Sequence, residues 1–68
     1  SWKMELTIKD MTCGHCAGVV TKAVKEVDTA AHVTVDLETR IVRIESSREA
    51  GEFLSAIQEA GYSPAALA

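Results

Sequence analysis

The sequence predicts an α+β sandwich, one four-stranded antiparallel sheet with two helices on one of its faces. Three observations predict it. Three segments alternate apolar and polar residues with the period of a half-buried strand. Two segments repeat apolar residues at helical spacing, each with a single stripe. The order along the chain is strand, helix, strand, strand, helix, with a short apolar segment able to make a last strand.

The first strand is the clearest. Trp2, Met4, Leu6 and Ile8 alternate with Lys3, Glu5, Thr7 and Lys9, so one face is expected inside and the other in water. Asp10 to Gly14 breaks the alternation and makes a loop. A helix follows from about Gly14 or Cys16 to about Val27: Ala17, Val20, Val24 and Val27 share one face, and Lys22, Lys25 and Glu26 take the other. Asp28 and Thr29 interrupt it. Alternation then returns, with Val33, Val35 and Leu37 inward and His32, Thr34 and Asp36 outward. Glu38 to Arg40 supply a polar turn into a strand over Ile41–Glu45, giving an antiparallel hairpin. Ser47 reads as the N-cap of a second helix, with Glu49 in its first turn. Ala50, Phe53, Leu54, Ile57 and Ala60 are its stripe, and Gly61 suits its C-terminal cap. Tyr62 to Leu67 can form a last strand, which Pro64 restricts to a sheet edge because it has no N–H to donate. This order is the split βαβ, or ferredoxin-like, pattern, here as one domain over residues 1–68.

Composition narrows the function classes. A chain of 68 residues buries only about 60% of its unfolded surface, enough for one modest core. The net charge of −3 offers no electrostatic footprint for nucleic acid, and no apolar run approaches the ~20 residues of a membrane span. The first ten residues alternate instead of forming the apolar block of a secretory leader. Ser1 is not an initiator, so either Met4 is the native start or the domain was cut from a longer chain. The two cysteines sit three residues apart and would close almost no loop as a disulfide, which favours a reducing, cytoplasmic setting.

The chemistry is concentrated in Met11-Thr12-Cys13-Gly14-His15-Cys16, at the junction of first strand and first helix. Thiolates are soft donors and select soft ions such as Cu(I). Two sulfurs on opposite sides of one ion, each about 2.3 Å away, span roughly 4.6 Å, which suits side chains three apart at a helix start. Gly14 allows a tight bend, and the helix N-terminus favours negative sulfur. His15 is either an exposed imidazole without a role, or an auxiliary third ligand or a bridge in a dimer. His32, on the wet face, reads as solvated.

Met-x-Cys-x-x-Cys after a first strand, on a chain of this order and length, resembles the heavy-metal-associated domain, a family of copper chaperones and N-terminal domains of copper-transporting P-type ATPases. The resemblance runs from Met4 to Leu67. It implies that Cys13 and Cys16 are the metal ligands, that Met11 is buried beneath the metal loop with Thr12 and Gly14 shaping it, and that Tyr62 lies near the ion as in bacterial chaperones. Two departures stand out: Asp10 where glycine is common, and Gly14-His15 between the cysteines. Zinc-exporting relatives place a carboxylate directly before the first cysteine; Thr12 is there, which favours Cu(I) over Zn(II).

The implied activity is non-enzymatic. The domain would take Cu(I) and pass it, through an intermediate holding thiolates of both proteins, to a copper-transporting P-type ATPase metal-binding domain or another CxxC protein, with a copper-bridged homodimer as a further partner state. Lys9, Lys22 and Lys25, placed on or near the metal end, would steer an acidic partner. The rival from another class is a thiol-disulfide oxidoreductase, because Cys-Gly-His-Cys also occurs in protein disulfide isomerases. Against it, the chain is too short for a thioredoxin fold and no Trp precedes Cys13. Hg, Cd and Zn are the alternative ions. Four-ligand structural zinc and iron–sulfur sites need more cysteines than the two present.

Overall fold

In the computed structural model, which describes residues 2–67, the chain runs β1 (Trp2–Ile8), α1 (Gly14–Val27), β2 (His32–Asp36), β3 (Ile41–Ser46), α2 (Ala50–Glu59) and β4 (Pro64–Ala66). The strands form one sheet in the order β2-β3-β1-β4, antiparallel at every pairing. The expected ferredoxin-like sandwich is what forms, and both helices cover the same face.

The period-2 pattern explains the core. Met4, Leu6 and Ile8 of β1 and Val42 and Ile44 of β3 point to the helices, meeting Val20, Ala23 and Val24 of α1 and Phe53 and Ile57 of α2. The opposite face is wet. There Glu5 faces Arg43 in register, with Arg43 Nε 2.6 Å from Glu5 Oε2, and Glu45 lies between His32 and Lys3. These exposed pairs add little stability, but a one-residue slip would set apolar residues in water, so the alternation fixes the register.

Several boundaries differ from the sequence reading. Trp2, expected inward, is 41% exposed, because β4 pairs with β1 only from Leu6 to Ile8 and the start of β1 runs beyond that edge strand. Leu37 is 39% exposed, since β2 ends at Asp36 and the turn begins there; the Asp36 carboxylate accepts from the amides of Glu38 and Thr39. The N-cap of α2 is Glu49, not Ser47: Glu49 and Glu52 exchange side-chain-to-backbone bonds in a capping box. Ser46 is drawn elsewhere. Its buried hydroxyl donates to Asp28 Oδ2 at 2.6 Å and accepts from the Arg48 amide, tying the end of α1 to the end of β3.

The last strand is shorter than Tyr62–Leu67, spanning Pro64–Ala66 at the sheet edge, and Tyr62 precedes it in a loop. Gly61 explains that loop. It takes φ +101°, which L side chains resist, and lets its own N–H reach Gln58 O at 3.0 Å while the Tyr62 N–H reaches Ile57 O at 3.2 Å. This is a Schellman ending. No helix among the described residues is long and apolar enough to cross a membrane.

Candidate metal centre

β1 is held on both sides, by β3 and by β4, so its C-terminal end is a firm root for the loop that follows. The Met11 amide bonds Ile8 O at 3.1 Å and turns the chain over the end of the sheet. Met11 itself is fully buried against the core and fixes the loop from beneath, where the resemblance placed it. Thr12, Cys13 and Gly14 are left exposed above it.

Cys13 occupies the N-cap of α1 with extended backbone, φ −149° and ψ 170°, and makes no side-chain capping bond. The amides of the first turn are therefore available to a negative group, and the positive end of the helix dipole lies at the two sulfurs. Cys16, one turn on, is half-buried. Both thiols are free, and their Sγ atoms are 3.2 Å apart. That is hydrogen-bonding contact between reduced sulfurs. Admitting a two-coordinate ion requires the sulfurs to move further apart, which rotation of the exposed Cys13 side chain can supply.

Tyr62 comes to the same place from the other end of the chain. Its phenol hydroxyl is the leading influence that lowers the Cys16 thiol from 9.0 to about 7, ahead of the Cys13 thiol and the loop backbone, while burial opposes them. The same interaction holds the Tyr62 phenol up at about 12, with burial and nearby negative charge adding to it. Cys16 is thus poised to be a thiolate near neutral pH, and Tyr62 is poised to stay protonated and donate.

Other residues read as functional separate into those that reach this end and those that do not. His15 is exposed on the first turn of α1. No cluster of three or more His, Cys, Asp or Glu side chains able to hold a metal occurs among the described residues, so His15 joins no ready-made three-donor site with the two sulfurs. Lys9 is at the metal end, in the turn after β1. Lys25 is not: it lies in the last turn of α1 and donates to Ala31 O at 2.6 Å, making a structural contact at the opposite pole. Lys22 lies six residues past Cys16, about 9 Å along the helix, on its flank. The expectation that all three lysines gather near the metal end therefore holds only for Lys9; the helix rise carries the other two away.

Two contacts escaped the sequence reading. Arg40, in a left-handed conformation at φ 61°, donates to Lys9 O at 2.8 Å and braces the root of the metal loop from the β2–β3 turn. Asp10 Oδ1 accepts the Ser63 amide at 3.2 Å, joining that loop to the one that carries Tyr62. Asp10 was visible as a departure from the usual glycine, but its partner lies 53 residues away.

Comparison with known proteins identifies the family and the fold. The family model described as the heavy-metal-associated domain matches residues 5–63. A copper transport protein ATOX1 homolog of Dictyostelium discoideum is 40% identical over 53 residues, covering 76% of this chain and 79% of its own. The crystal structure of a gold binding protein is 41% identical with a TM-score of 0.91, covering 94% of this chain and 98% of its own. A variant of the copper chaperone Atx1 from Synechocystis PCC6803, in a trimeric copper form, is 39% identical with a TM-score of 0.87, covering 90% and 97%.

Proposed function

The chain belongs to the heavy-metal-associated domain family, and from that premise we propose that it is a copper chaperone domain, holding Cu(I) between Cys13 and Cys16 and handing it to a partner with a similar pair of thiols. The observation that carries this reading is the pair of reduced sulfurs 3.2 Å apart at the start of α1, one of them with its pKa brought to about 7. Soft anionic donors at a positive helix end suit a monovalent thiophilic ion better than a hard divalent one.

Transfer follows from the exposure of the site. Cys13 stands open above the core while Cys16 is half-buried beside Tyr62. An incoming thiol gives up its proton as it adds to the low-coordinate ion from the Cys13 side, and Cys13 leaves and takes up a proton. The partner's second thiol then gives up its proton as it binds, and Cys16 leaves and takes up that proton, so two Cu–S bonds form, two break and no proton is gained or lost overall. Copper stays Cu(I), and no substrate bond is made or broken, so the function is carriage and not catalysis. Met11, Thr12 and Gly14 shape the loop, Tyr62 tunes Cys16, and Lys9 is the cation placed to meet an acidic rim on the partner. The metal-binding domain of a copper-transporting P-type ATPase fits the role of acceptor. His15, exposed beside the sulfurs, is suited to add a donor across a copper-bridged pair of chains.

A second ion has a specific observation behind it. Au(I) is also a monovalent, thiophilic ion that accepts two near-linear sulfurs, and a gold binding protein is 41% identical to this chain. Anaerobic titration with Cu(I) and Au(I), each against a chromophoric or thiol competitor, tests both readings. Saturation near one Cu(I) per chain is expected, with severe loss in Cys13→Ser and Cys16→Ser. Full Cu(I) affinity in either variant would contradict the ligand assignment, and a marked preference for Au(I) would make gold the cargo.

A further inference from the structure

The loop carrying Tyr62 is fixed on its leading side by the Schellman bonds of Gly61 and Tyr62 to the end of α2. Its trailing side is different. Pro64 pairs with Ile8 at the start of β4 but has no N–H, so Ser63 is the last donor before the strand is under way. That donor goes to Asp10, whose Oδ1 accepts the Ser63 amide at 3.2 Å. Asp10 stands three residues before Cys13, and Ser63 directly follows Tyr62. The bond therefore joins the metal loop to the tyrosine loop, two segments from opposite ends of the chain. Arg40 holds the same root from the other side through Lys9 O at 2.8 Å.

We propose that Asp10 is a positioning residue, a latch that keeps Tyr62 over Cys16 and thereby slows the departure of the bound ion. This rests on the copper-carrying reading of Cys13 and Cys16. A carboxylate accepting a backbone amide is a charge-assisted bond, stronger than a neutral one, and it spans the gap that Pro64 leaves in the β1–β4 ladder. With the latch released, the tyrosine loop keeps its Schellman ending but loses its trailing tether. Tyr62 then spends part of its time away from the sulfur, and a competing thiolate or chelator meets a more open ion.

The test is the rate at which Cu(I) passes from the loaded protein to an excess of bathocuproine disulfonate under anaerobic conditions. Asp10→Ala should speed release by roughly fivefold, the effect of losing about 1 kcal/mol of restraint. Asp10→Asn keeps an oxygen that can accept the Ser63 amide and should stay within about twofold of wild type. Tyr62→Phe should speed release by itself, and Asp10→Ala added to Tyr62→Phe should change little further, because the latch acts through the phenol. A wild-type rate in Asp10→Ala overturns the proposal, as does an Asp10→Ala effect that persists undiminished in the Tyr62→Phe background. Amide exchange at Ser63 in the wild-type protein is an independent readout: protection is expected, and free exchange overturns the latch even if Asp10→Ala does not fold. A wild-type protein that takes up no Cu(I) would fail the copper reading instead, and Ser63 exchange would then decide the latch alone.

Discussion

Replacing Tyr62 by Phe removes one oxygen and leaves the ring that packs against the core, so its effect isolates the phenol hydroxyl. With the Cys16 thiol at about 7, half of it is thiolate at pH 7. At the ordinary value of 9.0 the fraction is about 1%. Tyr62 is the largest of several contributors, with Cys13 and the loop backbone supplying the rest, so the variant should move a substantial part of the way but not all of it. If the hydroxyl supplies half of the lowering, thiolate at pH 7 falls roughly fivefold. The assay is the pH profile of iodoacetamide alkylation of the metal-free, reduced protein, with tandem mass spectrometry separating Cys13 from Cys16. The midpoint is the quantity to compare, because the intrinsic reactivity of a thiolate also changes with its pKa. A Cys16 midpoint near 7 in the wild type, rising clearly in Tyr62→Phe, is expected. A midpoint unmoved by the substitution would refute the claim that the phenol poises this sulfur.

The same shift has a consequence for stability. A thiol whose pKa falls on folding stabilises the native state fully above its unfolded value near 9.0 and loses that contribution as pH drops through about 7; metal-free protein should therefore gain melting temperature from this group between pH 7 and 9, and Tyr62→Phe should flatten the gain. Phe53→Ala opens a cavity at the fully buried centre of α2 and should cost about 3–5 kcal/mol in urea unfolding, close to the whole stability expected of a chain this short. Gly61→Ala forces a side chain to φ +101° and should cost about 1–3 kcal/mol while displacing the Tyr62 loop; an unchanged urea midpoint would count against the Schellman ending. Ser46→Ala strips the buried hydroxyl that donates to Asp28 and accepts from the Arg48 amide, and should cost about 1–3 kcal/mol with no effect on metal affinity, since it lies at the far pole.

How much of this was legible in the sequence depends on the range of the interaction. Met4, Leu6 and Ile8, and Val20 and Val24, announced their burial because a strand repeats every second residue and a helix every three or four. Cys13 and Cys16 were readable because their spacing alone brings them together at a helix start. Trp2 and Leu37 keep the right period but fall at the ends of the sheet, where they are only partly covered, which a local pattern does not encode. Ser47 looked like the cap of α2, yet Glu49 and Glu52 satisfy the amides reciprocally and leave the preceding Ser46 free to serve Asp28. Lys9 lies at the expected end, but a helix face without its length does not place Lys22 and Lys25: Lys25 is at the end of α1 away from Cys16. The pairings of Asp10 with Ser63 and of Arg40 with Lys9 close loops of 53 and 31 residues, and only the folded topology brings them together.

The account depends most on what surrounds the bound ion. X-ray absorption at the copper edge of the anaerobically loaded protein reads that shell directly. A shell of two sulfur neighbours is expected, lost together when both cysteines become serine. A shell of nitrogen and oxygen, or one that survives that double substitution, would contradict it.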